Sequence, residues 1–99
     1  MRIISKRRLR EFWEQHADAE QPLLHWHRST RKAQWKSLVD VRGDFRHADP
    51  VGACTVFNIG GNKYRIIAAI KYHRQTVYVL RVLTHKQYDT EDWIHGCQC

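Results

Sequence analysis

Ninety-nine residues with 17 Lys and Arg against 10 Asp and Glu carry a formal charge of +7 and an isoelectric point near 9.7. A chain of this length fits one domain, residues 1–99, that buries roughly 60–65% of its extended surface, and it excludes a two-domain arrangement. The basic balance favours a phosphate-rich or acidic partner, nucleic acid first. No apolar run approaches the ~20 residues of a membrane span, and Met1–Arg8 lacks the hydrophobic segment of a signal peptide, so a cytoplasmic protein that meets no membrane is expected.

Arg2–Ser5 is β-prone, and Ser5 stands as a helix N-cap before Lys6–His16, where Leu9, Phe12, Trp13 and His16 recur at the spacing of one apolar stripe. Asp18 is placed to cap a second helix, tolerant of Pro22 in its first turn and running to about Trp35, with Leu23, Trp26, Thr30 and Ala33 on one side. The period is lost from Ser37 to Gly52, which reads as a connection holding at most one helical turn, with Val39, Val41 and Phe45 tucked beneath it. Cys54–Ile59, Lys63–Tyr72 and Thr76–Thr84 follow as three strands at hairpin spacing, the first turn carrying Gly60-Gly61 and the second His73-Arg74-Gln75. The fold class is α+β: a short N-terminal strand, a two-helix hairpin, an antiparallel three-stranded meander and a short C-terminal segment.

Side chains alternate along a strand, so Tyr64, Ile66, Ala68, Ile70 and Tyr72 form a core face. Lys63, Arg65, Ile67, Ala69 and Lys71 form the opposite one, a candidate working surface with a cation at each end. Cys54, Cys97 and Cys99 are odd in number and show no zinc-site spacing, so they read as reduced thiols; neither a metal nor a cofactor is expected.

Several short runs, weak singly, share an order and spacing that resembles a known family. They are Met1-Arg2-Ile3-Ile4-Ser5, Leu9-Arg10-Glu11-Phe12-Trp13, Asp18 to Leu23, Ala33-Gln34-Trp35-Lys36, Phe57-Asn58-Ile59, Gly61 to Arg65, Val77-Tyr78, and Thr84-His85 with Tyr88-Asp89. Over nearly its whole length the chain resembles the HigB-type toxins of bacterial type II toxin–antitoxin operons, within the RelE superfamily of ribosome-dependent mRNA endonucleases. The resemblance implies a RelE-like fold that cuts mRNA in the ribosomal decoding site. It also implies a cognate antitoxin, usually a helix-turn-helix DNA-binding protein, without which the toxin binds no DNA directly. Site residues implied by it are a basic residue at Arg65, cations near Lys63, and the cluster His85, Lys86 and Tyr88. Relatives often carry an arginine where Leu80 stands. Here Arg81 follows instead, and by alternation it points the other way.

Metal-free cleavage by the RNA's own 2′-hydroxyl needs a base, cations around the phosphate, and an acid for the leaving 5′-oxygen. Arg65 suits the phosphate clamp, His85 the proton transfer, Tyr88 proton donation or base stacking, and Lys86 electrostatic help. Lys63, Lys71 and Arg81 are the candidate RNA-binding cations. Arg65 could instead form a structural ion pair with Asp89 or Asp92, and Asp89 reads as orienting a neighbour. The rival functional reading is a non-catalytic RNA- or ribosome-binding module that uses stacking aromatics such as Tyr64 and Trp35.

Overall fold

A computed structural model describes residues 1–97. In chain order the elements are β1 (Arg2–Ile4), α1 (Lys6–Gln15), a 3-10 turn (Ala17–Ala19), α2 (Glu20–Lys32), α3 (Leu38–Asp44), β2 (Asp49–Val51), β3 (Cys54–Ile59), β4 (Tyr64–Lys71), β5 (Thr76–Thr84), α4 (His85–Asp89) and a 3-10 helix (Asp92–Cys97). The strands form one sheet in the order β1-β5-β4-β3-β2, antiparallel except where β1 runs parallel to β5. This is the α+β arrangement anticipated from the sequence, with the meander widened to five strands. β1 adds at one edge and β2 at the other.

The segment 37–52 is more regular than its loss of period suggests, because a 7-residue helix and a 3-residue strand are too short to print a pattern. Val41 is sealed and Phe45 packs on the core, but Val39 is 78% exposed, contrary to expectation. Ser5 occupies the N-cap position of α1, but its side chain makes no capping bond. Asp18 does not cap α2: Ala19 holds that position, and the Asp18 carboxylate instead accepts bonds from Tyr64 Oη and Lys63 Nζ. α2 ends at Lys32, three residues early, because Trp35 must turn inward, where it is buried and donates from Nε1 to Asp44 at 2.8 Å.

One sheet face meets the helices. Leu9, Leu23, Trp26, Phe57, Ile66 and Val77 are fully sealed there, and Phe57 packs edge-on to Trp26 and stacked on Trp35. Tyr64, Ile66 and Ala68 lie on this face as their alternation requires. The other face is not open, as the sequence reading had it. The C-terminal segment folds back across it, and Trp93 and Cys97 close a second core with Cys54, Val56, Ile67 and Leu83. Cys54 and Cys97 are joined as a disulfide, correcting their reading as free thiols; their Cα atoms stand 5.2 Å apart although 43 positions separate them in sequence. Spacing rules cannot see a contact made by a returning tail. Cys99 lies outside the described residues.

Candidate active site

The start of β4 and the end of β5 lie side by side, with Tyr64 opposite Thr84 and Arg65 opposite Leu83. The hairpin that precedes β4 is a four-residue loop, Gly60–Lys63, closed by the Ile59–Tyr64 pair. The two-residue loop that a Gly-Gly pair suggests is therefore not formed. Both glycines do adopt positive φ, 61° and 71°, a region that side chains disfavour, and this delivers the Asn62 carbonyl to the sheet end.

Arg65 is only 6% exposed. Its Nη1 donates to the carbonyls of Asn62 (3.0 Å) and Tyr64 (3.1 Å), and its Nη2 to Asn62 Oδ1 (2.8 Å). The guanidinium carbon lies 4.9 Å from the centroid of the Tyr88 ring, a cation–π contact. Neither Asp89 nor Asp92 pairs with it, and among the described residues no carboxylate does. A guanidinium has five N–H donors, so Nε and one Nη2 hydrogen are left without an acceptor among the described residues. A buried cation with no counter-charge is costly unless an anion completes it.

His85 opens α4, and the helix start is defined by a capping box in which Thr84 and Gln87 exchange side-chain and backbone bonds. Its backbone N–H donates to Lys63 O at 3.0 Å, and its Nδ1 stands 3.1 Å from the same Asn62 carbonyl that Arg65 uses. That carbonyl can only accept, so Nδ1 carries a hydrogen, and Nε2 is the atom available for proton exchange. Nε2 stands 3.2 Å from Asp89 Oδ2, an ion pair only when that nitrogen also carries a hydrogen. The imidazole side chain is 49% exposed and so reachable from solvent. Tyr88 is half-buried, stacked on Trp93 at 5.0 Å, and Trp93 Nε1 donates to the Tyr88 carbonyl at 2.9 Å.

Arg65, His85 and Tyr88 thus converge, with exposed Lys86 on the same short helix. The remaining cations differ in their placement. Lys63 is exposed and held by Asp18 at 3.1 Å. Lys71 closes the far end of β4 opposite Thr76, about 20 Å from Arg65 at ~3.3 Å per residue, so it does not join the cluster. Arg81 lies on β5 opposite Ile67; the next register pair is Ala68 with Val79, which makes Leu80 an extra, bulged residue. The bulge breaks the alternation that had set Arg81 and Leu80 on opposite faces, and both line one cleft. Trp35 and Tyr64, the stacking aromatics offered as examples in the binding-module reading, are 2% and 8% exposed, so neither can stack on a base. Asn62 and Trp93 were not singled out beforehand. The signal for Asn62 was its place after Gly-Gly, and Trp93 carried none beyond its size.

The Asp18 carboxyl is held below the usual carboxylate range by the Tyr64 hydroxyl and then by Lys63, and Tyr64 is raised in return by its bond to Asp18. This pair fastens the helical layer to the β3–β4 loop. Among the described residues no three His, Cys, Asp or Glu side chains stand close enough to hold a metal ion.

Comparison with known proteins agrees with this architecture. Residues 19–91 match the family model for the HigB toxin, described as the RelE-like toxic component of a toxin–antitoxin system. The mRNA interferase toxin HigB of Escherichia coli K12 is 26% identical over 98 residues, spanning 96% of this chain and 94% of its own. The mRNA interferases HigB of Escherichia coli O157:H7 and of Shigella flexneri match to the same extent. Spanning most of the chain, including every residue of the Arg65–His85–Tyr88 cluster, the match shows that this protein belongs to the HigB toxin family of toxin–antitoxin systems.

Proposed function

We propose that the protein is a ribosome-dependent, metal-independent endoribonuclease that cleaves translated mRNA in the cytoplasm. The observation that carries this reading is a buried guanidinium without a counter-ion, sharing one carbonyl acceptor with a solvent-reachable imidazole. In the reaction the 2′-oxygen attacks phosphorus, the bond to the 5′-oxygen breaks, and a 2′,3′-cyclic phosphate and a 5′-hydroxyl result. Arg65 meets the charge that builds on the phosphate oxygens, and His85 Nε2 exchanges a proton with a reacting oxygen. Tyr88 holds Arg65 from above and offers its ring or hydroxyl to the substrate, while Lys86 and Lys63 add positive potential. The cognate antitoxin is proposed to be a helix-turn-helix protein that supplies the DNA binding of the pair.

The test is expression of wild type, Arg65→Ala and His85→Ala without antitoxin, together with cleavage of mRNA on purified translating ribosomes. Wild type is predicted to arrest growth and cut the message, and each variant to lose at least ~100-fold in cleavage. Arrest with intact transcripts would favour a non-catalytic ribosome-binding module, and unaltered variants would refute the site.

A further inference from the structure

β5 is covered unevenly along its outer edge. β1 pairs with it only at Thr76–Tyr78, because the chain leaves the sheet after Ile4 to enter α1. Beyond that point no backbone is hydrogen-bonded to Leu80–Leu83 on the side away from β4 among the described residues. Between this open edge and α1 lies a cleft of about 530 Å³, separate from the one beside Trp93. Phe12, Leu80 and Val82 give it apolar walls, and Arg8 and Arg81 bring two exposed guanidiniums. Neither arginine has a carboxylate partner among the described residues, and Glu11, also in the cleft, is bound at 2.7 Å by Arg7. Ile4, which ends the row of β1, is a large apolar side chain left exposed.

We propose that this cleft is the docking groove for an extended, acidic segment of the cognate antitoxin, which adds to β5 as a further strand in line with β1. An exposed strand edge is a template for pairing, and peptide recognition of this kind draws affinity from main-chain bonds and specificity from alternate side-chain pockets. An RNA strand would use the two cations and leave the edge N–H and C=O groups to water, whereas an acidic peptide satisfies both. Four open residues, at ~3.3 Å each, accept a partner run of about four residues whose carboxylates reach Arg8 and Arg81. The inference rests on membership of a toxin–antitoxin family and not on the nuclease chemistry.

The experiment is amide hydrogen exchange of the full-length protein, alone and in complex with the antitoxin encoded beside it, with a short oligoribonucleotide as a second probe. Amides within Leu80–Leu83 are predicted to slow by at least ~10-fold in the antitoxin complex, and Arg8→Glu to weaken the complex by ~10-fold or more at low salt and less at high salt. The proposal is overturned if the complex forms with Leu80–Leu83 exchanging as in the free protein, which leaves the partner intact and moves its footprint elsewhere. It is equally overturned if the oligoribonucleotide protects these amides and the antitoxin does not, or if no complex forms.

Discussion

Asn62→Ala removes one of the three acceptors that hold the buried Arg65 guanidinium. The Oδ1 atom takes a 2.8 Å bond from Arg65 Nη2, while the carbonyl that serves Arg65 Nη1 and His85 Nδ1 belongs to the backbone and survives the change. A hydrogen bond to a charged group contributes roughly 1.5–3 kcal/mol. With Arg65 at 6% exposure, water cannot easily replace the lost acceptor, so a stability loss of about 2 kcal/mol is predicted. The guanidinium also gains freedom to rotate beneath Tyr88, which should lower ribosomal cleavage by about tenfold, since misplacement of a positioned charge is expensive in rate. Urea denaturation and single-turnover cleavage measure the two effects. A double-mutant cycle with Arg65→Met isolates the contact, because the Asn62→Ala cost should largely vanish once Arg65 is gone. If Asn62→Ala matches wild type in both assays, or if its cost persists undiminished beside Arg65→Met, the proposed organisation of the site is wrong.

Trp93→Ala empties the second core and removes the stack on Tyr88, and is predicted to lower stability by about 3 kcal/mol, roughly 12–24 °C in melting temperature, read by thermal denaturation. Opening the Cys54–Cys97 link with a reductant, or replacing either residue by Ser, frees a loop of 43 residues and should cost up to about 4 kcal/mol; an unchanged melting temperature would show that the tail is held by Trp93 alone. Burial, then the charges of Lys6 and Arg31, lowers the His27 pKa. The unfolded chain takes up that proton near pH ~6.5 and the folded one does not, so stability should fall as pH drops from about 6.5 until the folded pKa is passed, and His27→Leu should flatten melting curves in that window. Asp18 behaves in the opposite range: its lowered pKa contributes stability above about pH 3.9 that is lost as pH falls through the folded value, a loss absent in Asp18→Asn.

What the sequence disclosed and what it hid follow from range. The stripe of α1, the inward side of α2 and the alternation of β4 are local periods, and each was legible. β1 and β2 are three residues each and acquire meaning only through pairing partners far along the chain, so neither their place at the sheet edges nor the bulge at Leu80 could be read. Within the site, Arg65, His85 and Tyr88 were named from the family resemblance together with their side-chain chemistry. Their dependence on Asn62 and Trp93 was not, because a loop carbonyl and a returning tail leave no periodic trace. The same tail covers the face where an open working surface was anticipated, and its Trp93 backs the Tyr88 ring that lies over Arg65. Lys71 illustrates the complementary error: alternation set it on the face of Arg65, but distance along the strand separates them.

The central claim is that Arg65 and His85 act on one phosphodiester. Mapping transcript ends after induction tests it most directly. Wild type should create discrete new ends bearing 2′,3′-cyclic phosphates within translated messages, and Arg65→Ala and His85→Ala should each abolish the same set of ends. Persistence of those ends in either variant, or loss of different subsets in the two, would contradict it.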